Sequence, residues 1–289
     1  MLKLAWEPIG EPKANGFCNY GYEQPWAEVT AFHVHRLLGF LNTPFVSGRK
    51  VDIAREILPV ASPRIARQIV GGTYKEMCVV SKCSFCELAN TFCKRDGMFD
   101  ASVAWWVPRH LFLHTWWPNF MPFSTSRIQE WRNVSFNNRS YCDKIRRENE
   151  PYTQDRYYLD LFDFAVVDYI MYHFDTKHYV IDDDSSASGL TVRLDHGRAF
   201  CSHEQDKTEI FLSPLLQCCT LRRTTYNNLL QFKDSLKFEK ELKALLASDP
   251  LSPRLNPKYY RAFHRRIKSL FRVLQRCADA NGGLDAVLV

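Results

Sequence analysis

From Tyr157 to Phe174 the chain reads YYLDLFDFAVVDYIMYHF, an apolar run long enough for a buried helix but interrupted by carboxylates. Asp175 follows in a short polar loop. A short apolar segment, Tyr179 to Ile181, and a second, Leu190 to Leu194, flank a polar stretch from Asp182 to Gly189, which predicts a hairpin. Asp195 closes the second strand, followed by His196-Gly197-Arg198-Ala199-Phe200. Nearer the start, Pro25 suits the first turn of a helix whose apolar face is Val29, Phe32, Leu37, Leu38 and Leu41. Residues 44–60, PFVSGRKVDIAREILPV, alternate weakly and predict strands. Two amphipathic helices are expected at 234–247 and 257–280, parted by the proline-marked turn SDPLSPRLNP. Residues 1–24 are rich in glycine and proline and read as irregular. The pattern shows no internal repeat or low-complexity stretch.

Helix, aspartate loop, hairpin, Asp-x-Gly is the order in which a kinase catalytic lobe presents its base and its metal ligand. Phosphoryl transfer needs one carboxylate to accept a hydroxyl proton and another to hold a divalent cation. Oxygen donors suit Mg²⁺ and Mn²⁺. By spacing alone, both residues read equally well as loop aspartates that cap turns beside a hairpin.

Composition narrows the setting. The 289 residues are 46% hydrophobic and 14% aromatic, which excludes a disordered chain and suits one large domain or two closely packed lobes. The net charge of +6 is spread along the chain, in runs such as His264–Lys268 and Leu221–Arg223 that read as solvated faces; no nucleic-acid-binding motif is present. An anionic polymer or membrane surface fits this charge better than nucleic acid does. Trp105, Trp106, Trp116 and Trp117 crowd residues 99–125. They suit packing beneath a long loop and, as the sharper alternative, a platform on which sugar rings stack.

Ten cysteines are many for a cytosolic chain. Only Cys83 and Cys86 make a C-x2-C pair, and Cys78 and Cys93 fit a zinc knuckle poorly. The adjacent Cys218 and Cys219 are poorly placed to ligate one metal together but can bridge to different elements. The spacing therefore favours disulfides and an oxidising compartment. The sequons at Asn133 and Asn138 agree with a secretory route. The start, MLKLAWEPIGEP, lacks an apolar signal region, and no run of about 18 apolar residues suggests a membrane span. A signal or anchor upstream of residue 1 is the expected resolution.

From about Glu28 onward the chain resembles the secretory-pathway kinase family that includes the Golgi casein kinase and the glycosaminoglycan xylosylkinase. The resemblance is carried by AEVTAFHVHRLLGF (27–40), CVVSKCSFCELANTFC (78–93), SYCD (140–143), VDYIMYHFDTKHY (167–179), LDHGRAF (194–200) and SPLLQCCTLRRTTYNNL (213–229), in the family's order. The paired cysteines after Pro-Leu-x-Gln are its most specific part. The C-x2-C in the first cluster, GRKVDIAREILPVA (48–61) and SDPLSP (248–253) point to the xylosylkinase branch.

This resemblance implies an α+β, atypical protein-kinase-like fold of two lobes, disulfide-stapled, with a mostly helical C-lobe at 71–289 and a truncated N-lobe at 1–70. It implies the pairs Cys78–Cys93, Cys83–Cys86, Cys142–Cys218 and Cys219–Cys277. It assigns Asp175 as catalytic base, Asp195 as metal and nucleotide ligand, Glu28 as the helix glutamate joining lysine and metal, and Lys3 as the phosphate-contacting lysine. The implied cofactors are ATP with Mn²⁺ or Mg²⁺, and the implied place is the Golgi lumen or the secreted fluid. The implied acceptor is xylose in the glycosaminoglycan linkage region of a proteoglycan, with a secreted protein's serine as the alternative.

The chain departs from the family where the base lies. The usual Asn-x-Asp-Arg-His-His-Tyr-Glu is here His173-Phe174-Asp175-Thr176-Lys177-His178-Tyr179-Val180, the usual Asn after the second aspartate is His196, and Cys201 replaces a glycine. Losing these groups removes positive charge and hydrogen bonds where charge develops. A pseudokinase that activates a related kinase is therefore a second expectation beside the enzyme. A disulfide-stapled carbohydrate-binding module ranks below both, because it leaves the helix–Asp–hairpin–Asp order unexplained. Cys18 and Cys201 fall outside the family's pairs: they are either free or joined to each other in an extra bridge. Mass spectrometry after alkylation of the native, non-reduced protein tests it: neither thiol should be labelled, and labelling of both refutes the bridge.

Overall fold

A computed structural model gives the architecture. It describes residues 2–4, 25–73, 76–80, 91–94, 96–105, 111–114, 134–148, 152–173, 179–182, 191–233, 236–253 and 255–289. The chain begins with strand β1 (Leu2–Leu4), helix α1 (Pro25–Leu37) and strand β2 (Val46–Asp52). A short helix α2 (Pro63–Ala66) precedes β3 (Ile69–Thr73), β4 (Glu76–Val80), β5 (Thr91–Lys94), β6 (Met98–Ala104) and β7 (Leu111–His114). Then come α3 (Arg139–Glu148), α4 (Asp155–Met171), β8 (Tyr179–Asp182), β9 (Thr191–Arg193), α5 (Thr208–Phe211), α6 (Ser213–Cys218), α7 (Arg223–Leu230), α8 (Leu236–Ser248) and α9 (Pro257–Asn281).

The strands form three antiparallel sheets, ordered β1-β6-β2, β3-β4-β5 and β7-β8-β9. The strand at the centre of the first sheet, β6, lies beyond the expected lobe boundary at residue 70. Its inward residues Phe99 and Ala101 pack with Val51, Ile53 and Met77 in a small core. A larger core lies among the helices, with Phe162 and Ile170 of α4, Leu215 of α6, Phe238 of α8 and Phe263 of α9. Ala27, Ala31, Val34 and Leu38 put α1 into that helical core, while α1 also packs against β2 and β6. Helix α1 thus sits between sheet and helices.

Three expectations are corrected here. Strand β2 ends at Asp52, and residues 53–57 form one π-helical turn followed by a 3₁₀ turn at 58–60. Local hydrogen bonding wins over alternation: the Asp52 carboxylate accepts from the Arg55 backbone N–H at 3.0 Å, and Glu56 accepts from the Asp52 N–H at 3.0 Å. Leu41, assigned to the apolar face of α1, is 85% exposed because the helix ends at Leu37. Trp105 is 69% exposed at the end of β6, so packing beneath a loop does not describe it; Trp106, Trp116 and Trp117 lie outside the described residues.

The two terminal helices form as their periodicity predicts, and the turn between them reaches back to the first sheet. The Asp249 carboxylate accepts hydrogen bonds from the Gly48 N–H at 2.9 Å and the Ser47 hydroxyl at 3.2 Å. A Cβ at position 48 would lie 2.4 Å from an Asp249 oxygen, so only glycine admits this contact.

The cysteines among the described residues are disulfide-bonded. Cys78 and Cys93 are directly opposite in β4 and β5 and are bridged, which makes the expected stapled loop a cross-linked strand pair. Cys142–Cys218 joins α3 to α6, and Cys219–Cys277 joins the end of α6 to α9. Cys219 has left-handed backbone at φ 46°, and across that turn adjacent cysteines bridge to different helices. Closing loops of 76 and 58 residues stabilises the fold by about 4 kcal/mol each in chain-entropy terms. Cys201 is also disulfide-bonded. Cys18 and the expected Cys83–Cys86 pair lie outside the described residues.

Candidate active site

Helix α4 sets the floor of the site. It ends because Tyr172 adopts a left-handed cap at φ 52°, with the His173 N–H donating to the Asp168 carbonyl at 2.8 Å. The Phe200 N–H then donates to the Met171 carbonyl at 2.8 Å, which brings the segment after Asp195 back to the end of α4. Long-range bonds from α9 brace this segment. Tyr259 donates to the Phe200 carbonyl at 2.7 Å. The fully buried Arg266 donates to the carbonyls of Ile170 at 3.0 Å and Ser202 at 2.6 Å, and to Asp206 at 3.1 Å.

Three carboxylates of α4 are buried, and each meets a polar partner. Arg222 pairs with Asp160 at 2.6 Å and with Asp163, while Thr225 donates to Asp163 at 2.6 Å and Thr191 to Asp160 at 2.5 Å. Asp168 accepts from Arg193 at 2.6 and 2.5 Å, and its Oδ1 lies 3.4 Å from Nδ1 of His173. Burial alone would push the Asp168 carboxyl up, but Arg193 and His173 outweigh it and hold the group below its ordinary range. The guanidinium of Arg193 also lies over the Phe164 ring, 4.9 Å from its centroid. Its backbone N–H donates to the Asn42 carbonyl at 2.6 Å, tying β9 to the loop after α1.

Asp195 follows β9 with left-handed backbone, φ 66°, a conformation aspartate tolerates better than most residues and one that concentrates at functional sites. The next residue, His196, is buried and places Nδ1 3.7 Å from Oε2 of Glu28, itself buried in the first turn of α1. The expected glutamate and the expected Asp-x-Gly segment thus meet. Trp26 stacks on Phe200, 5.7 Å between centroids, beside them.

Glu28 and Asp195 each carry hard-oxygen donors of the kind Mn²⁺ or Mg²⁺ takes, and such an ion binds through one or two carboxylates with nucleotide phosphates and water completing its shell. No group of three or more His, Cys, Asp or Glu among the described residues is arranged to hold a metal. Lys3 sits mid-strand in β1, paired with Ser102 of β6. Asp175 lies outside the described residues. Asn133 also lies outside them. Asn138 caps α3, its carbonyl oxygen accepting from Ser140 at 2.9 Å and from the Tyr141 N–H at 3.1 Å; the cap does not use the amide nitrogen that glycosylation modifies.

Sequence reasoning missed Asp168, Arg193, His35 and the buried position of His196. The aspartates interrupting an apolar helix were the available signal, since buried carboxylates require partners.

This geometry is that of a kinase-like fold, and the chain belongs to the family described as "Golgi casein kinase, C-terminal, Fam20", whose model matches residues 1–285. Over 286 residues it is 32% identical to the human glycosaminoglycan xylosylkinase, covering 97% of this chain and 65% of that protein's length. It superimposes on the crystal structure of the Golgi casein kinase with Mn/ADP bound at a TM-score of 0.82 and 27% identity, over 100% of this chain and 69% of that one. For the structure of hydra Fam20 with sugar the TM-score is 0.78 at 27% identity, over 100% of this chain and 80% of that one.

The buried pair yields a stability prediction. Asp168→Asn leaves Arg193 buried without its counter-charge and should cost about 3–5 kcal/mol at pH 7, by urea denaturation. Adding Arg193→Met should recover part of the loss. Because the folded Asp168 pKa is depressed, its contribution is present above the unfolded value of about 4 and is lost as pH falls through the lower folded value. The wild type should therefore lose stability below about pH 4 more steeply than the double variant. Equal acid limbs, or a single variant as stable as wild type, contradict this role.

Proposed function

We propose that this chain carries the catalytic domain of a secretory-pathway kinase, a phosphotransferase with an alcohol acceptor, and that the acceptor is xylose in the glycosaminoglycan linkage region of a proteoglycan. The observation that carries the reading is the meeting of buried Glu28 with the left-handed Asp195 segment, through His196. The chain's similarity to the human xylosylkinase supports the acceptor. The Mn/ADP-bound relative supports ATP with Mn²⁺, or Mg²⁺ in its place. The proposed location is the Golgi lumen or the secreted fluid, with Asn133 and Asn138 as glycosylation sites. No described helix is long and apolar enough to cross a membrane.

In this reading Asp175 accepts the proton of the sugar hydroxyl as the oxygen attacks the γ-phosphorus, and the bond from that phosphorus to the β–γ bridging oxygen breaks, with ADP leaving. Glu28 and Asp195 hold the cation, and Lys3 contacts the nucleotide phosphates. A bound divalent cation neutralises charge on the β- and γ-phosphates. The buried surroundings of Glu28 keep it from reorienting, so the site is preorganised before nucleotide arrives. The changed residues around Asp175 lower the expected rate without removing either carboxylate.

The test is transfer of label from ATP by the secreted full-length protein with Mn²⁺, offering a galactosyl-xylose acceptor and casein in parallel. Label should appear on the sugar. Asp175→Ala should lower the rate about 10²- to 10⁴-fold, the usual contribution of a positioned base. Label on casein alone moves the chain to the protein-kinase branch. No label on either from folded, disulfide-bonded protein overturns the enzyme reading in favour of a pseudokinase that activates a related kinase.

A further inference from the structure

We infer that the outward face of α9 is a docking surface for a linear anionic polysaccharide, one that bears sulfate or carboxylate groups. The inference goes beyond the proposed transfer reaction and does not depend on it. Helix α9 is 25 residues long and two-sided. Tyr259, Phe263, Ile267, Leu270 and Leu274 bury its inner face, together with Arg266, which braces the segment after Asp195. The outer face presents Arg261, Arg265, Lys268, Arg272 and Arg276, all exposed. They follow one another at four, three, four and four residues, so they lie in one row about 22 Å long. The basic run His264–Lys268 therefore divides, with Arg266 facing the core and Arg265 and Lys268 facing out.

An ordinary solvated helix intersperses both signs of charge. Neighbouring α8 does so, pairing Lys237 with Glu241 at 3.7 Å and Lys243 with Glu239 at 2.5 Å, one turn apart. In α9 no Asp or Glu occurs from residue 257 to residue 278. Each cation of the row instead has a like charge at i+3 or i+4, an arrangement that destabilises a helix. Arg265 is matched from outside by Asp206, at 2.6 and 2.7 Å. Arg261, Lys268 and Arg272 make no ion pair among the described residues. At the far end the guanidinium of Arg276 lies 4.0 Å from the centroid of the Phe136 ring. Asn137 bonds to Asn281 there at 3.2 Å, and Arg139 of α3 extends the positive surface while donating to the Ala286 carbonyl at 3.0 Å. Such held donors lose less freedom when a ligand arrives. A single-sign field of this kind draws an oppositely charged ligand.

The row also selects among polyanions. Guanidinium forks pair bidentately with sulfate and carboxylate groups. No exposed large apolar side chain lies on α9, so the face does not enter a bilayer as an interfacial helix does. The helix packs among helices, without the strand edge that captures an extended peptide. A chain of stiff sugar rings is already extended and gives up little freedom along a straight row, whereas an acidic peptide must first be ordered.

The experiment follows the fluorescence anisotropy of a labelled heparin hexasaccharide as the full-length secreted protein is titrated in, at several salt concentrations. The wild type should bind, with log Kd rising linearly with log salt as counterions are released. The triple variant Arg261→Gln, Lys268→Gln, Arg272→Gln should bind about tenfold or more weakly, with a salt slope smaller by about 2–3. Its thermal unfolding midpoint should equal or exceed that of the wild type, because like charges are removed from one helix face. Arg55→Gln, Arg64→Gln, Arg67→Gln takes the same charge from exposed positions on another part of the surface and should leave Kd within about twofold. Phosphatidylserine vesicles and a polyglutamate peptide, each added at equal negative charge, should displace less label than unlabelled hexasaccharide does. Failure of the wild type to bind, equal weakening by the two triple variants, or equal displacement by the vesicles or the peptide overturns the inference. No readout here involves phosphate transfer, so a failure of the kinase reading is seen separately.

Discussion

The site depends on how a mostly apolar helix buries charge. Helix α4 carries Asp160, Asp163 and Asp168 into the largest core of the protein, where an unpartnered carboxylate would be expelled or neutralised. Arg222 and Arg193 answer them from outside the helix. Of these pairings, Asp168 with Arg193 has the widest reach. It joins the floor of the site to β9, and β9 runs directly into Asp195. Arg193 also ties its backbone to the loop after α1, so one buried ion pair relates helix, hairpin and the glutamate-bearing helix. Removing either partner alone leaves a buried charge, which explains why such a pair specifies an arrangement more than it adds stability.

The rest of the architecture holds these parts against one another. Paired cysteines at the end of α6 bridge to α3 and α9, and α9 reaches across with Tyr259 and Arg266 to fix the segment after Asp195. Asp249 fastens the α8–α9 turn to β2 through a glycine that leaves room for nothing larger. The glutamate-bearing helix is therefore held from the helical side as well as from the sheet. That rigidity suits a reaction in which the protein's contribution is placement and charge rather than covalent chemistry.

How much of this was legible in the sequence depends on range. Helices α4, α8 and α9 were readable because their apolar periodicity is local and long. Asp195 was singled out by motif order and Glu28 by family resemblance, and Glu28 lies against the residue that follows Asp195. The π turn after Asp52 was not, since the Arg55 N–H bond to the Asp52 carboxylate and the Asp52 N–H bond to Glu56 overrode a weak strand pattern. Leu41 misled because it continues the spacing of α1 past the point where the helix stops. Arg193, His35 and His196 escaped notice for a different reason. Their surroundings arise only when α1, β9 and the end of α4 converge, and nothing in a one-dimensional pattern marks a ring that packs edge-on against another 161 residues away. The aspartates within α4 were visible as anomalies, yet their partners were not.

The central claim is that Glu28 and Asp195 hold one divalent cation with the nucleotide. Electron paramagnetic resonance of free Mn²⁺ titrated into protein and ADP tests it without requiring turnover. The wild type should deplete the free-ion signal, and Glu28→Gln and Asp195→Asn should each weaken Mn²⁺ binding by about tenfold or more, a loss of at least about 1.4 kcal/mol, with unchanged unfolding midpoints. Equal Mn²⁺ binding by the wild type and both folded variants would contradict the account.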